Sequence, residues 1–172
     1  MRDKIYYQTK YNSPLGNITI CCDEKENIVG LWFEKQKHFA YNIDGKMVEN
    51  GNLKIFTKIK KWLDRYFTGK KTDIKDIHLK LIGTQFQTKV WKILCKIPYG
   101  KVITYGDIAK QVAKRMKLKK MSAQAVGGAV GHNPISIIIP CHRVIGKNGK
   151  LTGYAAGIDK KIKLLELEGL YK

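Results

Sequence analysis

The sequence predicts an α+β chain: a small antiparallel sheet with one helix in the first half, then a mainly helical half containing a helix-turn-helix. Three observations carry that prediction. Short β-rich runs punctuated by turns fill residues 5–33, an amphipathic stripe follows at 53–67, and two helical patterns stand in succession across a basic loop at 105–130. At 172 residues and 44% hydrophobic content, the chain can bury a real core.

Ile5-Tyr6-Tyr7, Ile18-Thr19-Ile20 and Ile28–Phe33 read as strands, separated by the turn-like Asn12-Ser13-Pro14-Leu15-Gly16 and Asp23-Glu24-Lys25-Glu26-Asn27. On this register Ile18, Ile20 and Cys22 share one face and Cys21 takes the other. Leu53, Phe56, Ile59, Leu63 and Phe67 recur at helical spacing, and the helix stops near Thr68-Gly69. Residues 77–82 suggest a short strand after a lysine-rich connector. Gly83-Thr84 marks a boundary, with Thr84 as N-cap of the next helix. The expected domains are therefore a structural one at 1–83 and a functional one at 84–172.

In that second part Phe86, Val90, Trp91, Leu94 and Cys95 form an apolar stripe, which makes Cys95 core. Pro98-Tyr99-Gly100 ends the helix, and Val102-Ile103 reads as a short strand. Helices are expected from Tyr105 to about Met116 and from Ser122 to about Val130, the arrangement of a helix-turn-helix. Small residues fill nearly all of the second, and Gly127 and Gly128 each cost about 1 kcal/mol of helix propensity. Such a sequence suits close approach of backbone to another helix or to a nucleic-acid groove. The last helix starts near Ile158-Asp159, with a buried stripe of Ile158, Ile162 and Leu165, and ends at Gly169 as its C′ residue. Glu168 falls on that face, either as a capping residue at a frayed end or as a buried anion bonded to an imidazole.

Net charge is +19, from 33 Lys/Arg and 14 Asp/Glu, which suits a polyanionic partner. Residues 101–172 hold 14 of the basic residues against Asp107, Asp159, Glu166 and Glu168, a net of +10. The densest run, at 114–120, lies between the two helices of the helix-turn-helix, where a loop could meet phosphates. The N-terminus lacks an apolar signal-peptide core, and no stretch approaches the roughly 18 to 20 apolar residues of a membrane span. An intracellular, cytoplasmic protein is expected. Cys21, Cys22, Cys95 and Cys141 include no C-x-x-C, so reduced thiols are expected rather than a disulfide framework or zinc knuckle.

The chemistry concentrates at Ile137-Ile138-Ile139-Pro140-Cys141-His142-Arg143-Val144, read as an apolar strand leading into a Cys-His pair. A buried Cys is ordinarily a small hydrophobe, but a neighbouring His and Arg favour a reactive thiolate. With Glu168 orienting His142, the set would make an activated nucleophile. Adjacent residues of an extended chain point apart, so a Cys141-His142 contact needs a tight turn or a bridging water.

The run Asn133-Pro134 followed by Ile-Pro-Cys-His-Arg-Val, with Gly153-Tyr154 and Leu167-Glu168-Gly169 downstream, resembles the O6-alkylguanine-DNA alkyltransferase family. Ser13-Pro14-Leu15-Gly16, Phe86-Gln87, Val90-Trp91, Ile97-Pro98-Tyr99-Gly100, Thr104-Tyr105-Gly106 and Ala125-Val126-Gly127 extend the resemblance over nearly the whole chain. It implies an RNase H-like N-terminal sheet and a repair protein that moves an alkyl group from O6 of guanine in duplex DNA, with O4 of thymine a further candidate, irreversibly onto Cys141. By that resemblance Glu168, His142 and a water relay the thiol proton, Asn133 braces the turn and Tyr105 protonates the leaving base. The Ala155 N-H faces O6, carbonyls of Cys141 and Val144 accept from the exocyclic amine, and Tyr154 and Ala156 shape the pocket. Ser122, Ala123, Gln124, Ala125 and Gly127 would lie in the minor groove. A monomer with no cofactor and no metal is expected.

Three departures from the common pattern stand out. Gln124 takes the place of an arginine that enters the base stack, and Gln lacks its charge and planar fork. Tyr154-Ala155-Ala156-Gly157 replaces the human-type Tyr-Ser-Gly-Gly, which puts a methyl at the pocket entrance. Lys4 replaces a cysteine that ligates zinc in human-type members. The competing readings are an alkyltransferase-like protein that flags damage without repair, in which the reactive Cys is replaced, and a thiol hydrolase.

Overall fold

Ile5–Ser13 forms one nine-residue strand, β1, which runs well beyond its β-rich start at Ile5-Tyr6-Tyr7. The computed structural model describes residues 2–171. β1 pairs antiparallel with β2 (Gly16–Cys22), and β2 with β3 (Ile28–Phe33). The sheet is not wholly antiparallel, however. Lys46–Glu49 forms β4, which runs parallel to β1 and gives the order β3-β2-β1-β4. Its four residues are exposed or half-buried and carry no apolar alternation, so the sequence offers no strand signal there.

The segment at 77–82 is extended but is not a strand. It makes a single bridge, Leu79 to Ile28, with the Ile28 N–H donating to His78 O and the Lys80 N–H to Ile28 O, both at 2.9 Å. The next stretch of the β3 edge is taken by Pro134–Ser136, where Leu31 donates to Pro134 O and Ser136 donates to Leu31 O, again at 2.9 Å. Two short segments share one edge, and neither has the length for a ladder. The edge is thereby covered, as an apolar strand end requires. Every residue of β3 is buried.

Cys21 packs with Tyr6, Val29 and Trp32, and burial pushes its thiol up to about 12. Gly30 leaves room for the Trp32 indole, since a Cβ at that position would fall inside the ring. Helix α1 (Lys54–Phe67) buries Ile55, Phe56, Ile59, Leu63 and Tyr66. Leu53 is its N-cap, and the stripe leads to Tyr66 rather than Phe67, which stacks on Tyr11. Lys4 pairs with Asp44, whose other oxygen accepts from the Tyr6 hydroxyl at 2.7 Å. These elements, with Pro134–Ser136, make one unit; Gly83–Asn133 and the residues from Ile137 onward make a second.

The second unit opens with α2 (Gln85–Leu94). Its N-cap is Thr84, in a capping box with Gln87 that satisfies two amide donors reciprocally. Val90, Trp91, Ile93 and Leu94 are buried, and the Trp91 indole N–H donates to Ala129 O at 2.8 Å. The two-residue strand β5 (Ile103–Thr104) pairs parallel with β6 (Val144–Ile145), one residue later than Val102-Ile103. Thr104 also caps α3 (Tyr105–Arg115), its hydroxyl accepting from the Asp107 N–H.

Helix α3 ends in a Schellman motif: Lys117 takes a left-handed φ of 56° and the Leu118 N–H returns to Ala113 O at 2.8 Å. The basic loop therefore leaves α3 in a fixed direction. Helix α4 (Ala123–Gly131) follows, capped by the Ser122 hydroxyl, which accepts from the Gln124 and Ala125 N–H groups. These two helices are the expected helix-turn-helix. Helix α5 (Ile158–Leu167) closes the unit, ending in a second Schellman motif in which Gly169, at φ 87°, and Leu170 return to Glu166 and Leu165. Among the described residues no helix is long and apolar enough to cross a membrane.

Candidate active site

Cys141 does not leave a strand. Residues 137–139 form a turn in which the buried Ile137 has a left-handed φ of 69°, a conformation that a β-branched residue rarely adopts. Pro140, at φ −81° and ψ 63°, centres an inverse γ-turn that closes with the Cys141 N–H on Ile139 O at 2.8 Å. Cys141–Arg143 is then one turn of 3-10 helix. The extended geometry expected here loses because proline lacks the N–H that a strand would use, and because Asn133 captures the turn: its Nδ2 donates to Ile139 O at 2.8 Å. The tight turn supplies what an extended Cys-His pair could not, with thiol and imidazole both buried on one short segment.

Glu168 is the hub of the charged groups. As the C-cap of α5 it is fixed by the Schellman motif rather than frayed, and its carboxylate is buried. Oε1 lies 2.8 Å from His142 Nε2 and 2.7 Å from an Arg143 terminal nitrogen, and the Arg143 Nε reaches Oε2 at 2.9 Å. The Gly100 N–H donates to Oε2 at 3.1 Å. Burial alone would raise this carboxyl, but His142 and Arg143 overcome it and hold Glu168 down at about 2. Arg143 is fixed further by donating to Ile97 O at 2.7 Å, and its guanidinium lies 5.7 Å from the Tyr99 ring centroid.

Because an ionised carboxylate only accepts, His142 Nε2 carries the proton in this contact. Burial holds the imidazole below its ordinary range against the pull of Glu168, with Arg143 and Lys161 acting in the same direction as burial. A neutral ring with its proton on Nε2 presents its basic lone pair at Nδ1. His142 is therefore set up as a base rather than as a cation.

Burial raises the Cys141 thiol, opposed by a hydrogen bond from the Asn133 side chain, the charge of Lys161, and the N–H groups of Cys141 and His142. The cation acting on the sulfur is thus Lys161. Arg143, two residues on, spends its donors on Glu168 and Ile97. Lys161 is fully buried, donates to Thr152 O at 2.9 Å, and sits 5.9 Å over the Tyr105 ring. The buried stripe of α5 accordingly runs Lys161, Leu164 and Leu165, and Ile158 is 38% exposed. The apolar stripe of Ile158, Ile162 and Leu165 is displaced because the ammonium finds carbonyl partners inside. A signal was present: Lys161 precedes Glu168 by seven residues, two turns along one helix face.

Tyr105 opens α3, half-buried, with its hydroxyl raised by burial and bonded to Thr152. Val144 is fully buried in β6, while the Cys141 carbonyl accepts from the Val144 N–H. Tyr154, Ala155 and Ala156 lie half-buried in a turn closed by the Gly157 N–H on Tyr154 O at 2.8 Å. On α4, Ser122, Ala123, Gln124 and Ala125 are exposed, whereas Val126, Ala129 and Val130 face inward. A Cβ on Gly127 would make ordinary contact with the Tyr105 ring. Gly128 and Gly131 look onto open space, so no neighbour within the chain requires glycine at either position.

This chain is similar to known proteins over most of its length. The family described as "6-O-methylguanine DNA methyltransferase, DNA binding domain" matches residues 85–170, and "6-O-methylguanine DNA methyltransferase, ribonuclease-like domain" matches residues 5–81. A methylated-DNA--protein-cysteine methyltransferase of Haemophilus influenzae is 41% identical over 162 residues, 94% of this chain and 86% of the relative. One from Methanosarcina acetivorans is 43% identical over 165 residues, covering 95% and 98%. Among solved structures, Mycobacterium tuberculosis OGT in complex with DNA superposes with a TM-score of 0.79 at 40% identity, covering 95% of this chain and 92% of that one.

Proposed function

The chain belongs to the 6-O-methylguanine DNA methyltransferase family, and from that footing we propose that Cys141 is the residue that receives the alkyl group. The reaction is alkyl transfer from damaged DNA to a protein cysteine, in DNA repair, and DNA is the partner. One observation carries the assignment to Cys141: it is the thiol that shares a single buried turn with an imidazole bonded at 2.8 Å to a buried carboxylate. A flagging protein without a reactive cysteine is not favoured, nor is a hydrolase.

In the proposed reaction His142 Nδ1 takes the thiol proton through a water, while Glu168 stabilises the imidazolium that forms. The sulfur attacks the alkyl carbon attached to O6, that carbon–oxygen bond breaks, and the electron pair leaves on guanine. Tyr105 donates a proton to the base ring, the Ala155 N–H faces O6, and the carbonyls of Cys141 and Val144 accept from the exocyclic amine. Tyr154 and Ala156 bound the pocket. The product is a thioether, so each molecule acts once.

The base must leave the duplex to reach a buried thiol. Helix α4, through Ser122, Ala123, Gln124, Ala125 and Gly127, is the element proposed to enter the minor groove, with residues 84–172 carrying both chemistry and binding and residues 1–83 a structural role. The open glycine face supports this reading. Glycine at 128 weakens α4 without serving any internal contact, which is reasonable where DNA approaches the backbone. The protein is proposed to work as a monomer inside the cell.

The test is mass spectrometry after incubation with duplex DNA carrying one O6-methylguanine. The expected result is a methyl group on the Cys141 peptide, with reaction stopping at one equivalent; repaired DNA with unmodified Cys141, or continued turnover, would overturn the proposal. For α4, Gly128→Leu should raise stability by up to about 1 kcal/mol through helix propensity and yet weaken duplex binding at least tenfold. Unimpaired binding would remove α4 from the groove. Binding by the native chain should also fall steeply with salt, log K changing by about −0.9 per phosphate contact for each decade; a flat titration would reduce the lysine excess to composition.

A further inference from the structure

The positive charge of the first unit is gathered in one place. Residues 1–83 hold 16 Lys/Arg and 10 Asp/Glu, and eight of those basic residues, against Asp64 and Asp73 alone, fall within residues 54–75. The rest of that stretch is balanced, eight against eight. A lysine-rich composition by itself gives no reason for the whole excess of +6 to collect on one helix and its connector.

On α1 the excess forms a row. Lys54, Lys58, Lys61 and Arg65 recur at four, three and four residues, so they line one exposed face over about 16 Å, at 1.5 Å per residue. Like charges at this spacing weaken a helix. Among the described residues none of the four is in an ion pair. Lys58 donates to the neutral Asp76 carbonyl, and Asp64, the one carboxylate on α1, accepts from the Tyr11 hydroxyl at 2.7 Å.

Trp62 fastens the connector to this row. Its ring stacks on Tyr66, centroids 5.6 Å apart and planes 3° from parallel, and its N–H donates to Asp73 O at 2.7 Å. Lys71 is thereby brought to Lys58, Lys61 and Arg65, and the four cations line a single cleft of about 300 Å³. Asp73 and Asp76 line it as well, but Asp73 Oδ1 is taken by the Lys75 N–H at 3.2 Å. Thr72, in the same wall, has a buried hydroxyl with no partner among the described residues.

We propose that the cationic face of α1, with Lys71, is a second DNA-contacting surface that holds the phosphate backbone without reading sequence. The proposal rests on DNA being the partner and not on which residue is alkylated, and it gives the first unit a task beyond its structural one. A small anion would be met by one or two cations. A row about 16 Å long suits a polymer of phosphates, which supplies the negative charge that the row lacks within the chain and releases counterions on binding.

The test compares two full-length variants that lose the same charge. Lys61→Gln/Arg65→Gln/Lys71→Gln should weaken binding to undamaged duplex at low salt by at least about tenfold and make the salt dependence shallower by about 2 to 3 in the log–log slope. Methyl transfer to Cys141 at saturating DNA should be unchanged. Lys10→Gln/Lys25→Gln/Lys46→Gln, on exposed positions outside the row, should leave the slope as it is. Equal losses in the two variants, an unchanged slope in the first, or a deficit confined to anionic phospholipid vesicles would each overturn the proposal. Should the first variant not fold, acetylation of the native chain decides: duplex DNA should shield Lys61 and Lys71 but not Lys10 or Lys46, and labelling that DNA does not alter overturns it. Gly128→Leu and methylation of the Cys141 peptide are scored in parallel, so a failure of α4 or of the acceptor is distinguishable from a failure of this surface.

Discussion

A Cys141→Ala chain takes up no methyl group from a duplex containing O6-methylguanine, while still binding that duplex. The remaining thiols cannot substitute. Cys21 and Cys22 are fully buried strand residues whose thiols burial pushes up to about 12, and Cys95, the C-cap of α2, stands at about 11. At neutral pH each is thiolate to the extent of about one part in ten thousand or less, and only the thiolate is nucleophilic. None of the three has an imidazole base or the Lys161 ammonium acting on its sulfur. Transfer to any of the three should stay at background on that ground. Labelled methyl recovered on the Ala variant at native stoichiometry would place the acceptor elsewhere.

Glu168→Gln is expected to damage both chemistry and stability. The amide keeps an acceptor for the Gly100 N–H but removes the charge facing Arg143 and His142, and it leaves the guanidinium buried without its anion. Breaking a buried pair by removing one partner typically costs about 3–5 kcal/mol. Loss of the group that supports a general base costs about 10²–10⁴ in rate. The pH dependence follows from the direction of the shift. Glu168 is held at about 2 from an ordinary 4.5, so the unfolded chain binds its proton first as the medium is acidified. Its stabilisation is complete above pH 4.5 and is lost between there and pH 2. Chemical denaturation across that range should show the acid limb in the native chain and a diminished one in Glu168→Gln; equal limbs would mean that the carboxylate is not the hub.

Residue types alone suggest Cys141, His142 and Glu168 as a nucleophile set, whereas the reaction and the roles of the other site residues came from the motif resemblance. The helix-turn-helix and the Thr84 cap are equally plain, since capping and helical periodicity are local. The backbone around the thiol is not. Residues 137–139 have the composition of a strand, and what bends them is a hydrogen bond from Asn133 together with a γ-turn at Pro140, neither of which has a period. Lys161 stayed hidden because an apolar stripe through Ile158 and Ile162 competes with it, and only folded geometry supplies the carbonyls that let a lysine go inside. Strand β4 lacked any apolar signal. Gly128 and Gly131 could be seen as unusual, but only the open space beside them separates a surface that meets something outside the chain from one that packs within it.

The covering of the β3 edge has a consequence for the order in which the protein is made. Leu31 finds its partners at Pro134 and Ser136, some hundred residues downstream. While the ribosome is still extending the chain toward that point, β3 carries an unpaired edge of buried apolar residues, the sort of surface that seeks another strand. The first unit therefore cannot finish folding until residue 136 has been made, although most of it is synthesised long before. Its completion waits for the three residues that lie between Asn133 and the turn bearing the reactive thiol, so the sheet can close before Glu168, the hub of the site, is made.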